Sequence, residues 1–84
     1  MDKQKENILL RFGRHVKKLR TESKLSQDEV VMNSDRLIKA TVSDIENGKR
    51  NLSFTTLIDL AKGLGQSPKE LLDFDYLSED QLSI

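Results

Sequence analysis

Helix-breaking residues are rare in this chain, and that scarcity constrains its fold more than any other feature. The 84 residues include one proline and four glycines, and the apolar residues mostly recur at spacings of three and four, as on one helix face. No alternating run of β-branched residues indicates a strand. The sequence therefore predicts an all-α fold with a single core, because a chain this short has no room for two.

Apolar spacing and capping residues divide the chain into five helices. Ser26 with Glu29 three residues later forms a capping box pattern, and Ser67-Pro68-Lys69-Glu70 repeats it with a proline at the first helical position. The expected helices are residues 5–23, 27–33 and 38–47, a fourth after Ser53 that ends at Gly63 or Gly65, and a fifth from Ser67 through Leu72. We expect a compact domain over residues 1–73 and a short C-terminal tail over residues 74–84.

The third helix has two different faces. At 100° per residue Ile38, Val42 and Ile45 fall within about 60° of one another, so we expect them in the core. The opposite face carries small or short polar side chains, and Lys39 stands at its N-terminal flank. These side chains are Ala40, Ser43, Asp44 and Asn47.

The zero net charge conceals an uneven distribution. Residues 1–50 hold twelve Lys and Arg against eight Asp and Glu, a net charge of +4, whereas residues 51–84 hold two against six, a net charge of −4. Two short helices joined by a tight turn, with the basic residues Lys49 and Arg50 just after the second, describe a helix-turn-helix DNA reader.

Several classes of function lack the residues they need. There is no cysteine and only one histidine, His15, so neither a zinc site nor a nucleophilic triad is expected. No phosphate-binding glycine loop occurs, and no cofactor is expected. The longest apolar run near the N-terminus is Ile8 to Leu10, which is too short for a signal peptide or a membrane helix. We expect a cytoplasmic protein that is not an enzyme and has no membrane partner.

Three segments carry a resemblance to a known family. They are Leu25-Ser26-Gln27-Asp28-Glu29, Val42-Ser43-Asp44-Ile45-Glu46-Asn47-Gly48-Lys49-Arg50-Asn51 and Leu57-Ile58-Asp59-Leu60-Ala61-Lys62-Gly63-Leu64. In this order and spacing they resemble the xenobiotic-response-element family of helix-turn-helix regulators, which includes the phage repressors and Cro. The resemblance spans roughly residues 12–72 and implies a five-helix, lambda-repressor-like fold.

The resemblance also implies roles for individual residues. Those in the base-contacting places are Lys39, Ala40, Ser43 and Asp44; those in the phosphate-contacting places are Gln27, Asn47, Lys49 and Arg50. Arg20 matches the arginine that pairs in relatives with the glutamate found here as Glu46. Both residues also lie at the edges of the apolar stripes of their helices, where such a pair would join the first helix to the third.

Two features depart from the family pattern. Between Gln27 and Gly48 the chain is one residue longer than the commonest spacing, and Asp35-Arg36-Leu37-Ile38 replaces the expected glycine and capping residue. The reading face also lacks Gln and Arg, which make bidentate base contacts, and Asp44 would repel phosphate. Sequence preference could therefore depend partly on DNA shape.

We expect a homodimeric, sequence-specific transcriptional regulator that acts as a repressor on a palindromic operator. The narrower alternative is an antitoxin with a toxin partner, and the rival of a different class is a protein-interaction module that has lost DNA binding. Dimerisation is expected through the apolar residues at the end of the chain, or else through helices four and five. The end residues are Leu71, Leu72, Phe74, Tyr76 and Leu77.

Overall fold

The computed structural model of the protein describes the backbone of residues 3–75 and the side chains of residues 7–75. Within that range five α-helices and no strand are present, which confirms the predicted fold class. The helices are α1 (Lys3–Glu22), α2 (Gln27–Asn33), α3 (Lys39–Glu46), α4 (Phe54–Leu64) and α5 (Pro68–Leu71). None of these helices combines the length and the apolar character that a bilayer-crossing segment requires.

Helix α2 begins where its capping box predicts. The Glu29 amide donates to Ser26 Oγ at 3.0 Å, and the Ser26 amide donates to Glu29 Oε1 at 2.9 Å. The equivalent pattern before α5 does not form a box, since Ser67 is the N-cap residue but makes no side-chain cap hydrogen bond. Pro68, with its fixed φ, remains as the start signal of that four-residue helix.

The core lies where α1 packs on α3 and α2 packs on α4, with α5 covering one end. At Gly13 the backbones of α1 and α3 approach so closely that an added Cβ would stand 2.7 Å from the carbonyl oxygen of Glu46. This close approach fixes α3 against α1. The buried core residues are Phe12, Val16, Val30, Leu37, Val42, Ile45, Leu60, Ala61, Leu64 and Leu71.

The prediction that Ile38 packs in the core is wrong. Ile38 is the N-cap residue of α3 and has extended dihedrals, φ −116° and ψ 160°, so the helical spacing that placed it with Val42 and Ile45 begins only at Lys39. Its side chain is 60% exposed, and the preceding Leu37, 8% exposed, fills the core instead. The helix is also shorter than the predicted 38–47 by one residue at each end.

The segment after α5 folds back onto α1. The Phe74 ring stacks on His15, with centroids 5.5 Å apart, and lies 5.7 Å from the Phe12 ring. Arg11 Nη1 donates to the Asp75 carbonyl oxygen at 3.0 Å. Phe74 therefore packs on α1 of its own chain and is half-buried, and its expected part in a dimer surface stays a prediction.

Of the other end residues expected to form that surface, Leu71 is fully buried and Leu72 is 53% exposed. Tyr76 and Leu77 lie outside the described residues.

Candidate nucleic-acid interface

A buried carboxylate joins three segments of the fold beside α3. Glu46 accepts from Arg20 through both oxygens, from Nε at 2.6 Å and from Nη2 at 3.0 Å, and its Oε1 also accepts from Gln27 Nε2 at 3.1 Å. Arg20 Nη1 donates to the Leu25 carbonyl oxygen at 2.9 Å. The Glu46 side chain is 3% exposed and that of Arg20 13%. The cluster therefore ties the end of α1, the start of α2 and the end of α3 to one another.

The charged form of Arg20 is favoured in this cluster. The hydrogen bond to Glu46 raises the pKa of Arg20 above its ordinary value, although burial opposes the shift. A bidentate guanidinium–carboxylate pair also fixes the relative orientation of its two partners. The predicted pair of Arg20 and Glu46 is thus present, and it joins α1 to α3.

The turn between α2 and α3 is held by a residue of α4. The Asp59 carboxylate accepts from the backbone amides of Asp35 at 2.7 Å and of Arg36 at 2.8 Å. These hydrogen bonds lower the pKa of Asp59, and the bond from the Asp35 amide has the largest effect. Lys62 Nζ lies 2.6 Å from Asp35 Oδ1, a contact that raises the pKa of Lys62. A carboxylate and a lysine one turn apart on α4 thus hold the turn between α2 and α3.

A serine supports the same turn from within. Ser34 Oγ donates to the Val31 carbonyl oxygen at 2.8 Å and accepts from the Leu37 amide at 3.2 Å. Sequence reasoning missed the roles of Ser34 and Asp59. The only local signal at Asp59 is Lys62 three residues later, which on a helix surface also fits an ordinary exposed ion pair.

The outward face of α3 carries the four residues expected to contact bases. Lys39 and Ala40 are exposed, and Ser43 and Asp44 are half-buried. Lys39 Nζ lies 3.5 Å from Asp28 Oδ2 in an exposed ion pair, which is weak enough to be exchanged for another partner. The side chains at positions 40 and 43 are small, which would let the helix backbone approach base edges closely.

The residues expected to contact phosphate lie at two places around α3. Gln27 and Asn47 line one groove, whereas Arg50 lines a second groove of about 480 Å³ together with Arg36 and Thr41. Lys49 lies directly before Arg50 in the loop after α3, and its side chain is exposed. The structure thus brings Gln27 and Asn47 together and separates them from Arg50.

The loop that carries Lys49 and Arg50 leaves α3 through a left-handed glycine. Gly48 has φ 71°, a conformation that favours glycine, and a Cβ there would stand 2.7 Å from Leu10 Cδ2. The Lys49 amide then donates to the Asp44 carbonyl oxygen at 2.8 Å. Position 48 therefore fixes both the end of α3 and the start of the basic loop.

A family model described as helix-turn-helix matches residues 16–71. Control protein C.BamHI of Bacillus amyloliquefaciens is 42% identical to this chain over 69 residues, which cover 81% of this chain and 84% of that protein. The match covers the turn and both helices around it.

Solved structures give the same result. Restriction–modification controller protein C.AhdI from Aeromonas hydrophila superposes with a TM-score of 0.70 at 36% identity, covering 75% of this chain and 94% of that one. Controller protein C.Esp1396I, as a tetramer in complex with its natural 35-base-pair operator, gives a TM-score of 0.66 at 30% identity, covering 79% and 96%. The chain belongs to the helix-turn-helix regulators of the xenobiotic-response-element type.

Proposed function

We propose that the protein is a sequence-specific DNA-binding transcriptional regulator that controls a restriction–modification system from a palindromic operator. The observation that carries the proposal is the outward face of α3, which is set in a fixed orientation by the cluster of Arg20, Glu46 and Gln27. Similarity to restriction–modification controllers supports it, since one of them is solved in complex with its operator.

In this proposal α3 enters the major groove and reads base edges from its N-terminal half. The base-contacting residues are Lys39, Ala40, Ser43 and Asp44, and the exposed Ile38 joins them. Ile38 is an apolar side chain at the N-terminus of α3, and the C5-methyl group of thymine is the apolar feature of the major groove. Asp44 would accept a hydrogen bond from a cytosine amino group.

Phosphate contacts would hold this orientation without reading sequence. We assign them to Gln27 and Asn47 on one side of α3 and to Lys49 and Arg50 in the loop that follows it. Gln27 donates one hydrogen of its side-chain amide to Glu46. The second amide hydrogen can be donated to a phosphate oxygen while the cluster stays intact.

The protein would act as a homodimer, because one recognition helix reads too few base pairs to mark a unique site. Phe54 and Ile58 lie four residues apart on one face of α4 and are 74% and 40% exposed. A second copy of the chain is the occupant we assign to this face, since a related controller is solved as a tetramer on its operator. We therefore assign the dimer interface to α4, whereas the sequence alone favoured the end of the chain.

The alternatives from the sequence have less support. An antitoxin would need a toxin-binding surface in the tail, but Phe74 packs on His15 and Phe12. A module that has lost DNA binding is not needed to explain the zero net charge, because the basic residues Lys39, Lys49 and Arg50 remain exposed around α3. We propose a non-enzymatic regulator, without a cofactor, located in the cytoplasm where it meets bacterial DNA.

The test is binding to duplex DNA selected from a random pool, followed by a salt titration. Affinity should fall steeply with salt, with a log–log slope of about −0.9 for each phosphate neutralised. Lys49→Ala and Arg50→Ala should weaken every sequence alike and each reduce the slope by about one. No binding to any sequence in the pool at low salt would contradict the proposal.

A further inference from the structure

A second basic surface faces the start of α2 from α1. Arg14 and Lys17 line a groove of about 350 Å³, and Gln27 and Asn47 line the same groove. Arg14 and Lys17 are three residues apart on one helix face, one turn beyond the exposed Leu10. The groove therefore joins α1 to the two residues that the proposed function assigns to phosphate on this side of α3.

The charges of the groove do not cancel. Arg20 and Glu46 also line it, but they neutralise each other at 2.6 Å. Arg14 and Lys17 are exposed, and neither makes an ion pair or a side-chain hydrogen bond with any of the residues that the structure describes. Two uncompensated cations therefore face an open groove with the amide groups of Gln27 and Asn47.

The donors of the groove suit a particular ligand. Guanidinium, ammonium and side-chain amide groups all donate to oxygen anions, and the volume of about 350 Å³ exceeds the roughly 30 Å³ that one water occupies in the liquid. In a DNA complex, the anionic groups that lie beside a recognition helix are the phosphodiesters of the DNA backbone. A backbone phosphodiester is therefore the ligand that fits these donors.

We propose that Arg14 and Lys17 of α1 form a phosphate-binding groove with Gln27 and Asn47, which receives the DNA backbone beside α3. The inference rests on the proposed DNA-binding function and extends the protein surface in contact with DNA to α1. It adds two phosphate contacts to those made by the α2 N-terminus and the basic loop. Arg14 and Lys17 contribute affinity and do not affect which sequence is preferred.

The experiment measures the salt slope for binding to a duplex selected with the wild-type protein. Arg14→Gln and Lys17→Gln should each reduce the magnitude of the slope by about 0.9. Between 50 and 200 mM salt the affinity of each variant should therefore fall by a factor about 3 to 4 times smaller than that of the wild type. Lys18→Gln is the matched control, because it removes the same charge from the same helix at an exposed residue outside the groove, and it should leave the slope unchanged.

A charge-preserving pair separates the loss of charge from a change of structure. The double variant Arg14→Lys with Lys17→Arg should keep the wild-type slope. The double glutamine variant, Arg14→Gln with Lys17→Gln, should reduce the magnitude of the slope by about 1.8, which corresponds to two phosphate contacts. A wild-type slope in the double glutamine variant overturns the inference, as does an equal loss in the charge-preserving variant.

Failure of the groove and failure of the proposed function give different results. If the wild type binds its selected duplex with a steep slope and only the α1 variants are silent, the groove is wrong and DNA binding stands. If the wild type binds no duplex, both are overturned.

A set of duplexes, each with one uncharged methylphosphonate in place of a phosphate, locates the contact in a wild type that binds DNA. At one position the substitution should weaken binding by the wild type but not by the double glutamine variant. The absence of any such position contradicts the groove.

Discussion

At the scale of single residues, the buried pair of Arg20 and Glu46 carries the largest expected effect on stability. Arg20→Ala leaves the Glu46 carboxylate, 3% exposed, without its main partner, which costs roughly 1 to 3 kcal/mol of unfolding free energy. Lys17→Ala, an exposed position on the same helix, should cost under about 0.5 kcal/mol. Urea denaturation compares the two. Equal midpoints would show that the pair contributes nothing.

Ile38 carries a different prediction, about one methyl group of the DNA. If Ile38 contacts thymine in the proposed complex, replacing one thymine by uracil removes that contact and should weaken wild-type binding about 4-fold, the equivalent of about 0.8 kcal/mol for one buried methylene-sized group. Ile38→Ala should bind both duplexes with nearly equal affinity. A competition titration measures this coupling, and a wild type that is insensitive to uracil at every position would refute the contact.

Which single residues the sequence could predict depended on whether their partners were local or matched the family pattern. The capping box of Ser26 and Glu29 needs only three residues of spacing. Arg20 and Glu46 are 26 residues apart, and their pairing was predicted from the resemblance to the family. Asp59 could not be found in this way, because its partners are backbone amides more than twenty residues away. Ile38 was misplaced because a helical wheel was applied to a residue with extended dihedrals.

At the scale of elements, the turn between α2 and α3 depends on an ionised carboxylate of α4. Asp59→Asn keeps one carbonyl acceptor and loses the other oxygen, which should cost about 1 kcal/mol at neutral pH. The folded pKa of Asp59 is lowered, so its stabilisation is complete above the unfolded pKa of about 3.9. It is lost as the pH falls through the folded value.

The difference in stability between the wild type and Asp59→Asn should therefore narrow as the pH falls below about 4. Chemical denaturation at a series of pH values measures it. Asp73→Asn is the control, because it makes the same change of charge at an exposed carboxylate. A difference that stays constant down to pH 2 would show that the Asp59 charge does not hold the turn.

Helix boundaries could be predicted where a side chain caps the helix. Helix α2 spans the predicted residues because Ser26 and Glu29 form the box, and α4 starts after Ser53, whose hydroxyl accepts from the Thr56 amide. Gly65 has φ 67° and ends α4, one of the two glycines that the sequence offered. Helix α3 has no side-chain cap, so its start depends on tertiary contacts of the turn that local sequence does not encode.

At the scale of the whole molecule, the proposed dimer depends on the exposed face of α4. The double variant Phe54→Ser with Ile58→Ser should sediment as a monomer at concentrations where the wild type is a dimer, because the apolar centre of an interface supplies most of its binding energy. Met32→Ser is the control, since Met32 is 80% exposed but lies on α2. A dimeric double variant, or a dissociated Met32→Ser, would contradict the assignment.

The fold class and the family pattern were accessible from the sequence, whereas the assembly was not. The apolar residues near the end of the chain pointed to an interface there, but Leu71 is buried beneath its own fold and Phe74 covers α1. How much apolar surface the monomer itself buries depends on where the chain turns after α5. That turn is decided by contacts of Phe74 and Asp75 with α1, which spacing along the chain does not show.

In the proposed function the outward face of α3 reads base pairs, and repeated selection from random duplex DNA tests this role. The wild type should select one palindromic sequence with half-sites about one helical turn apart. Lys39→Ala and Ser43→Ala should each select a sequence changed at defined positions of both half-sites, whereas Lys49→Ala should select the wild-type sequence with lower affinity. Identical selected sequences for the wild type and both α3 variants would contradict the account.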